Sequence, residues 1–181
     1  MKNRKLDVAV IAVAMVFILA SLLFMFKDRI HLPSGKMDES SIRHMPEADS
    51  VSDELVNGVI IEQSFDNDID AIKNIAVVFT KYDREAHGQV TFELLEGDTI
   101  LFSKTVDIRN IGEQHRVFFT PNRILTGMSG KKLTIRLYAD SSAGDGAGLM
   151  IRTADAGNSV IRINSRNIRG TICFSINESK N

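Results

Sequence analysis

QVTFELLEGDTILFSKTVD, residues 89–107, decides the fold of this 181-residue chain. Val90, Phe92 and Leu94 alternate with Thr91 and Glu93, the two-residue period of a strand with one face in a core. Gly97 and Asp98 then supply a compact turn, and residues 99–107 return along the first half. Two such runs joined by a Gly-Asp pair predict an antiparallel hairpin.

The same texture continues on both sides of the hairpin. Upstream, residues 59–65 (VIIEQSF) form one apolar-rich run and residues 72–82 another, with Ile75, Val77 and Phe79 on one face and Ala76, Val78 and Thr80 on the other. Downstream, residues 114–120 carry Val117 and Phe119 toward a core before Pro121 ends the strand. Residues 131–139 set Leu133, Ile135 and Leu137 against Thr134, Arg136 and Tyr138, and the loop SSAGDGAG leads into residues 149–153. Residues 160–163 read as a shorter strand, and residues 170–176 bury Ile172, Phe174 and Ile176. About eight strands at roughly ten-residue spacing predict an all-β fold, an antiparallel jelly-roll-like β-sandwich. The Cys and Trp hallmarks of an immunoglobulin domain are missing, since the chain has one Cys and no Trp.

Before this region the chain has a different character. Residues 8–26, VAVIAVAMVFILASLLFMF, contain no charge and one hydroxyl, Ser21. As a helix they would extend roughly 28 Å, close to the hydrocarbon thickness of about 30 Å, so one N-terminal transmembrane helix is expected. The run is longer than the apolar region of a signal peptide and exits through Leu22, Leu23, Phe24, Met25 and Phe26 into Lys27 without a small-residue cleavage pair, which favours a retained signal-anchor. Lys2, Arg4 and Lys5 precede it while Lys27 and Arg29 follow, an excess that puts the N-terminus in the cytosol and the C-terminal domain outside the cell membrane.

The expected organisation is therefore residues 1–29 as cytosolic N-terminus and anchor, 30–54 as a flexible stalk, and 55–181 as the sandwich. In the stalk, Pro33 and Pro46 interrupt helices and Met37, Ile42, Met45 and Val51 keep no period. Beyond residue 29, 17 Lys and Arg meet 21 Asp and Glu, a formal charge of −4 without a basic patch, so nucleic acid is not an expected partner. Cys173 stands alone, which excludes an internal disulfide and a cysteine-based metal site. On the noncore parity of its strand, it reads as a small buried residue and not a nucleophile.

No catalytic signature emerges. His31, His44, His87 and His115 have no metal-ligand spacing, and there is no G-x-S-x-G, P-loop, H-E-x-x-H or dinucleotide fingerprint. For binding, Glu93, Arg136 and Tyr138 would line one sheet face if their strands are neighbours, as a ligand platform or as a solvated face with an ion pair. Tyr82, at a strand end, is the second tyrosine and the remaining glycan-stacking candidate. Asp66, Asp68 and Asp70 alternate in SFDNDIDAI, a candidate set of calcium ligands or a solvated turn. The rest of an EF-hand is missing, with Ala71 where its glycine would be and Val77 where its glutamate would be.

The order GVIIEQSF, IKNIAVVFTKYDREAHGQVTFELLEGD, FFTP, GKKLTIRLYADSSAGDGAGLMI and RGTICFSI, over residues 57–177, resembles the carbohydrate-binding-like jelly-roll modules of bacterial membrane proteins that assemble cell-surface polysaccharide. The shared elements are Gln63 before an aromatic, the strand start at Gly88, the strand 131–138 and the small-residue loop before Leu149. The resemblance implies a noncatalytic module, with no cofactor beyond a candidate structural calcium, that binds envelope polysaccharide or a protein outside the membrane. This chain departs from the family in having no multi-span enzyme attached. Two roles stay open: a tethered glycan-binding module, and a structural subunit docking a larger membrane enzyme or transporter. Protease added to intact cells is expected to remove the C-terminal domain, and its protection there would reverse the orientation read from the flanking charges.

Overall fold

The computed structural model describes residues 42–43, 46–154 and 156–179. The expected membrane segment and the first part of the expected stalk lie outside the described residues. Among those described, no helix is long and apolar enough to cross a membrane.

The strands are β1 (Ile42–Arg43), β2 (Ser50–Val51), β3 (Ile60–Asn67), β4 (Ile72–Thr80), β5 (Gln89–Glu96), β6 (Thr99–Asp107), β7 (His115–Phe119), β8 (Lys131–Ala139), β9 (Gly148–Arg152), β10 (Val160–Ile163), β11 (Arg166–Arg169), β12 (Thr171–Ile172) and β13 (Phe174–Glu178). A 3-10 turn at Ile108–Asn110 is the one helical element among the described residues. The strands make two antiparallel sheets. One runs β11-β10-β3-β8-β5-β6. The other is centred on β4, which pairs with β7 along one edge and with β13 along the other, β1 lying beyond β13. The end of β4 also meets β9, which carries β2 and β12.

The sheets pack face to face through the residues whose alternation predicted the strands. Val90, Phe92 and Leu94 of β5 and Leu133, Ile135 and Leu137 of β8 are all 0% exposed. From the opposite sheet, the Phe119 ring stacks on Phe92 with centroids 4.4 Å apart and planes 12° apart, and Phe79 and Phe102 extend the cluster on either side. Phe65 of β3 meets Phe174 of β13 at 4.9 Å, a second aromatic link between the layers. The result is an all-β sandwich with a single apolar interior.

Several elements differ from the simple alternation, each for a local reason. In the hairpin, the register slips between Leu94 and Leu95, so Leu94 faces Phe102, Leu95 faces Ile100 and Leu101 is the extra residue of a bulge. Both leucines are buried there, although strict alternation would expose one. On β4, Ala76 and Thr80 are buried along with Ile75, Val77 and Phe79, Ala76 as a small residue between Phe118 of β7 and Ser175 of β13 and Thr80 beneath Glu113. The expected strand 170–176 is divided at Cys173, whose N–H donates to Met150 of β9 while its carbonyl accepts from Val78 of β4. β2 and β11, too short or too polar to show a period, join the sheets as well.

Residues 46–54, expected as stalk, lie along β9. Backbone N–H groups of Asp49 and Ser52 donate to Ile151 and Leu149, and the Asp49 carboxylate accepts from the N–H groups of Thr153 and Ala154 at 2.7 Å each. Those backbone donors hold the Asp49 carboxyl below its ordinary range.

At the start of β5, Gly88 has φ 105°, and a Cβ there would fall 2.5 Å from Ser141 Oγ and 2.9 Å from Asp140 Oδ1. Both side chains are needed, since Asp140 accepts from the Gln89 N–H and Ser141 donates to the His87 carbonyl. Replacing Phe92 with alanine is expected to cost about 3–5 kcal/mol, read as a fall in the denaturant midpoint of the full chain.

Candidate functional site

The outer face of the six-stranded sheet carries an alternating row of charges that follows directly from strand register. Arg162 of β10 lies opposite Glu62 of β3, Glu62 opposite Arg136 of β8, and Arg136 opposite Glu93 of β5. Directly opposed side chains on antiparallel strands lie within contact distance, so the row becomes one bonded ladder. Arg136 Nε donates to Glu62 Oε1 at 2.6 Å and its Nη1 to Glu93 Oε2 at 3.3 Å. From the other side Arg162 donates to Glu62 Oε2 through Nε at 2.8 Å and also through Nη2. Tyr138, two residues along β8, donates its hydroxyl to Glu93 Oε1 at 3.0 Å.

A short hairpin brings Arg162 into place. Asn164 at its tip has φ 51°, a conformation asparagine tolerates. Its backbone N–H donates to the Ile60 carbonyl and its side-chain oxygen accepts from the Ile60 N–H, both at 2.8 Å. These two bonds clip β10 and β11 onto the edge of β3 and set Arg162 beside Glu62.

The ladder separates two open grooves. One, of about 800 Å³, runs over Ser64, Asp66, Lys132 and Thr134 and is rimmed by Asp98, Asn158 and Ser159. The second, of about 750 Å³, lies toward Ile60, Ile100, Tyr138 and Asn164. Glu62, Arg136 and Arg162 line both. Hydroxyl pairs add to the polarity of this face, with Ser64 and Thr134 at 2.8 Å and Thr91 and Thr105 at 3.0 Å.

Burial is uneven along the ladder. The Glu62 and Glu93 side chains are each 10% exposed, whereas Arg136 is 32% and Arg162 59% exposed. Burial alone would raise the Glu62 pKa, but the two guanidiniums outweigh it and hold the carboxyl below its usual value. The Tyr138 hydroxyl is shifted upward, by burial first and by its bond to Glu93 second.

Of the candidates read from sequence, Glu93, Arg136 and Tyr138 are thus together on one face. Glu62 and Arg162 complete the group and were missed. Both sit at outward-facing positions of their strands, but nothing local in the sequence says that β3 and β10 adjoin β8. Tyr82 is elsewhere: at φ 58° in the turn after β4, it donates its hydroxyl to the Ser52 carbonyl at 2.7 Å, with the Arg84 guanidinium 4.9 Å from its ring centroid. Burial, together with the nearby Glu54 charge, pushes its pKa up to about 12. Its position makes it a prop for the segment before β3 and removes it from the candidate platform.

The three aspartates read as calcium candidates do not point into a common site. Asp66 lies in register opposite Lys132, and the buried residue between the acids is Asn67, whose Nδ2 donates to the carbonyls of Ile69 and Met128 at 2.7 and 2.8 Å. Folding the loop about Asn67 leaves Asp66, Asp68 and Asp70 exposed, and no group of three His, Cys, Asp or Glu among the described residues could hold a metal ion. Cys173 is 1% exposed, with burial pushing its thiol up to about 11, so it stays protonated at neutral pH.

Glu62, Glu54 and Glu113 all have carboxyls held below the ordinary glutamate value of 4.5. For Glu54 the Arg84 hydrogen bond is the main cause, and for Glu113 burial opposes but bonds from Thr80 and backbone N–H groups prevail. Below that value the unfolded chain binds more protons than the folded one, so their contribution is complete above it and is lost as pH falls through the folded-state values. Urea midpoints followed from about pH 6 to about pH 3 are expected to drop, and Glu62→Gln to flatten part of that drop.

The sequence matches no protein-family model and no curated protein, so the chemistry of this face alone supports a functional reading.

Proposed function

We propose that the chain is a membrane-tethered, extracytoplasmic binding module, anchored by residues 8–26, whose jelly-roll-like sandwich takes an envelope polysaccharide on the outer face of its six-stranded sheet. The single observation that carries this reading is the Arg162–Glu62–Arg136–Glu93 ladder between two open grooves, one mainly polar and the other carrying Val59, Ile60 and Ile100 beside Tyr138. Sugar hydroxyls exchange one set of hydrogen bonds for another on leaving water, so recognition needs donors and acceptors already held in place. The ladder supplies them. Each charged group is fixed by its neighbours, and charge-assisted bonds are about twice as strong as neutral ones. Tyr138 adds an aromatic ring with its hydroxyl tied down, which orients it for contact with a sugar face.

An open groove suits a chain longer than the groove itself, and tethering compensates for modest affinity. A domain confined to a layer above one membrane meets ligands of that layer at high effective concentration. The second reading, docking to a larger membrane protein, draws on the opposite sheet, where the edge strand β7 leaves Phe118 42% exposed. Consistent co-extraction of one membrane protein, abolished by Phe118→Asp, would favour it.

Full-length protein in detergent, titrated against a panel of cell-envelope glycans, is expected to bind at least one of them. Tyr138→Ala is expected to weaken that binding by roughly tenfold, the size of one aromatic contact with its hydrogen bond. Flat responses across the panel would reject the glycan reading.

A further inference from the structure

The same face carries a further distinction, which rests on the glycan reading above. Its carboxylates are sunk and its guanidiniums are raised: Glu62 and Glu93 side chains are each 10% exposed, Arg136 32% and Arg162 59%. Glu62 spends both oxygens on the two arginines, Oε1 on Arg136 and Oε2 on Arg162. Glu93 likewise has one oxygen on Arg136 and the other on the Tyr138 hydroxyl. A ligand arriving from solvent therefore meets acids whose oxygens already have donors.

The arginines differ in having donors to spare. The ladder uses Nε and Nη1 of Arg136 and Nε and Nη2 of Arg162, leaving Nη2 of the first and Nη1 of the second outside its bonds. Both guanidiniums converge on Glu62, so these two remaining donors belong to groups locked on either side of one carboxylate. A guanidinium fixed in this way loses little freedom when its remaining nitrogen binds a further acceptor, and a carboxylate gives that donor a charge-assisted bond. Neutral hydroxyl groups would use the same donors at about half the strength.

We propose that the ligand is an acidic polysaccharide, one whose sugars bear carboxylate groups, and that Arg162 and Arg136 grip those carboxylates where the two grooves meet. Arg162 is the principal contact because it is the more exposed of the two and stands on the clipped hairpin at the sheet margin. Glu62 acts as the positioning residue for both.

The test uses full-length protein in detergent with three polymers of defined chemistry: polygalacturonate, neutral dextran and inorganic polyphosphate. Polygalacturonate is expected to bind best, with affinity falling as salt rises. Arg162→Gln should weaken that binding by about tenfold or more, the loss of one charge-assisted contact. Arg162→Lys should fall between the two, since it keeps the charge and loses the fork. Dextran binding as tight as polygalacturonate would overturn the acidic-ligand proposal and leave the glycan reading standing. Polyphosphate binding at least as tight would show attraction to charge alone and also overturn it. An Arg162→Gln variant that folds and binds polygalacturonate unchanged would do the same. Failure of both sugar polymers to bind would remove this proposal, and flat responses across the envelope panel would remove the reading beneath it.

Discussion

Contact between two apolar sheet faces is the interaction on which everything else in this domain depends. With Cys173 the only cysteine, no covalent bridge holds the layers together. The Phe92–Phe119 stack and the Phe65–Phe174 pair join the sheets at two places, and the aliphatic residues of β4, β5 and β8 fill the space between. Burying one such ring outweighs a surface ion pair several-fold, about 3–5 against at most about 1 kcal/mol. The ladder on the outer face is therefore a product of the fold, and the depressed Glu62 carboxyl adds to stability in full only above the usual glutamate range.

Strand pairing converts that fold into a site. Arg162, Glu62, Arg136 and Glu93 are far apart in the chain, yet register alone sets them in line, one per strand. Within the sheet each side chain has a neighbour of opposite sign, and at Glu62 the two guanidiniums outweigh burial and hold the carboxyl low. Because the row crosses strands that are themselves rigid, its geometry does not rely on loops. Only the hairpin bearing Arg162 depends on a local device, the pair of bonds between Asn164 and Ile60.

The limits of the sequence reading follow from the same physics. Alternation is a local signal, and it was sufficient for the strands built on Val90 to Leu94 and Leu133 to Leu137, whose inward residues are fully buried. It failed where neighbours shelter small outward residues, as at Ala76 and Thr80, and where a bulge shifts the register, as at Leu95. For the site, outward parity pointed to Glu93, Arg136 and Tyr138, which the sheet does bring together. Glu62 and Arg162 needed knowledge of strand order, which local periodicity does not carry. Between the alternate aspartates read as calcium candidates, Asn67 turns inward and organises the loop, a feature that side-chain spacing does not carry. Tyr82 was read by residue type alone, whereas its left-handed backbone and its bond to Ser52 give it a different role.

Cys173 marks the point where the strand pair β12 and β13 passes from one neighbour to another, bonded on one side to β9 and on the other to β4. Those neighbours precede it in the chain by about 20 and about 100 residues, so the seven-stranded sheet has an open notch until residues 171–178 are delivered. During synthesis the notch is the last part to be filled. Without residues 171–178, β4 and β9 would both present unpaired backbone along this notch, the kind of open edge on which sheets add foreign strands.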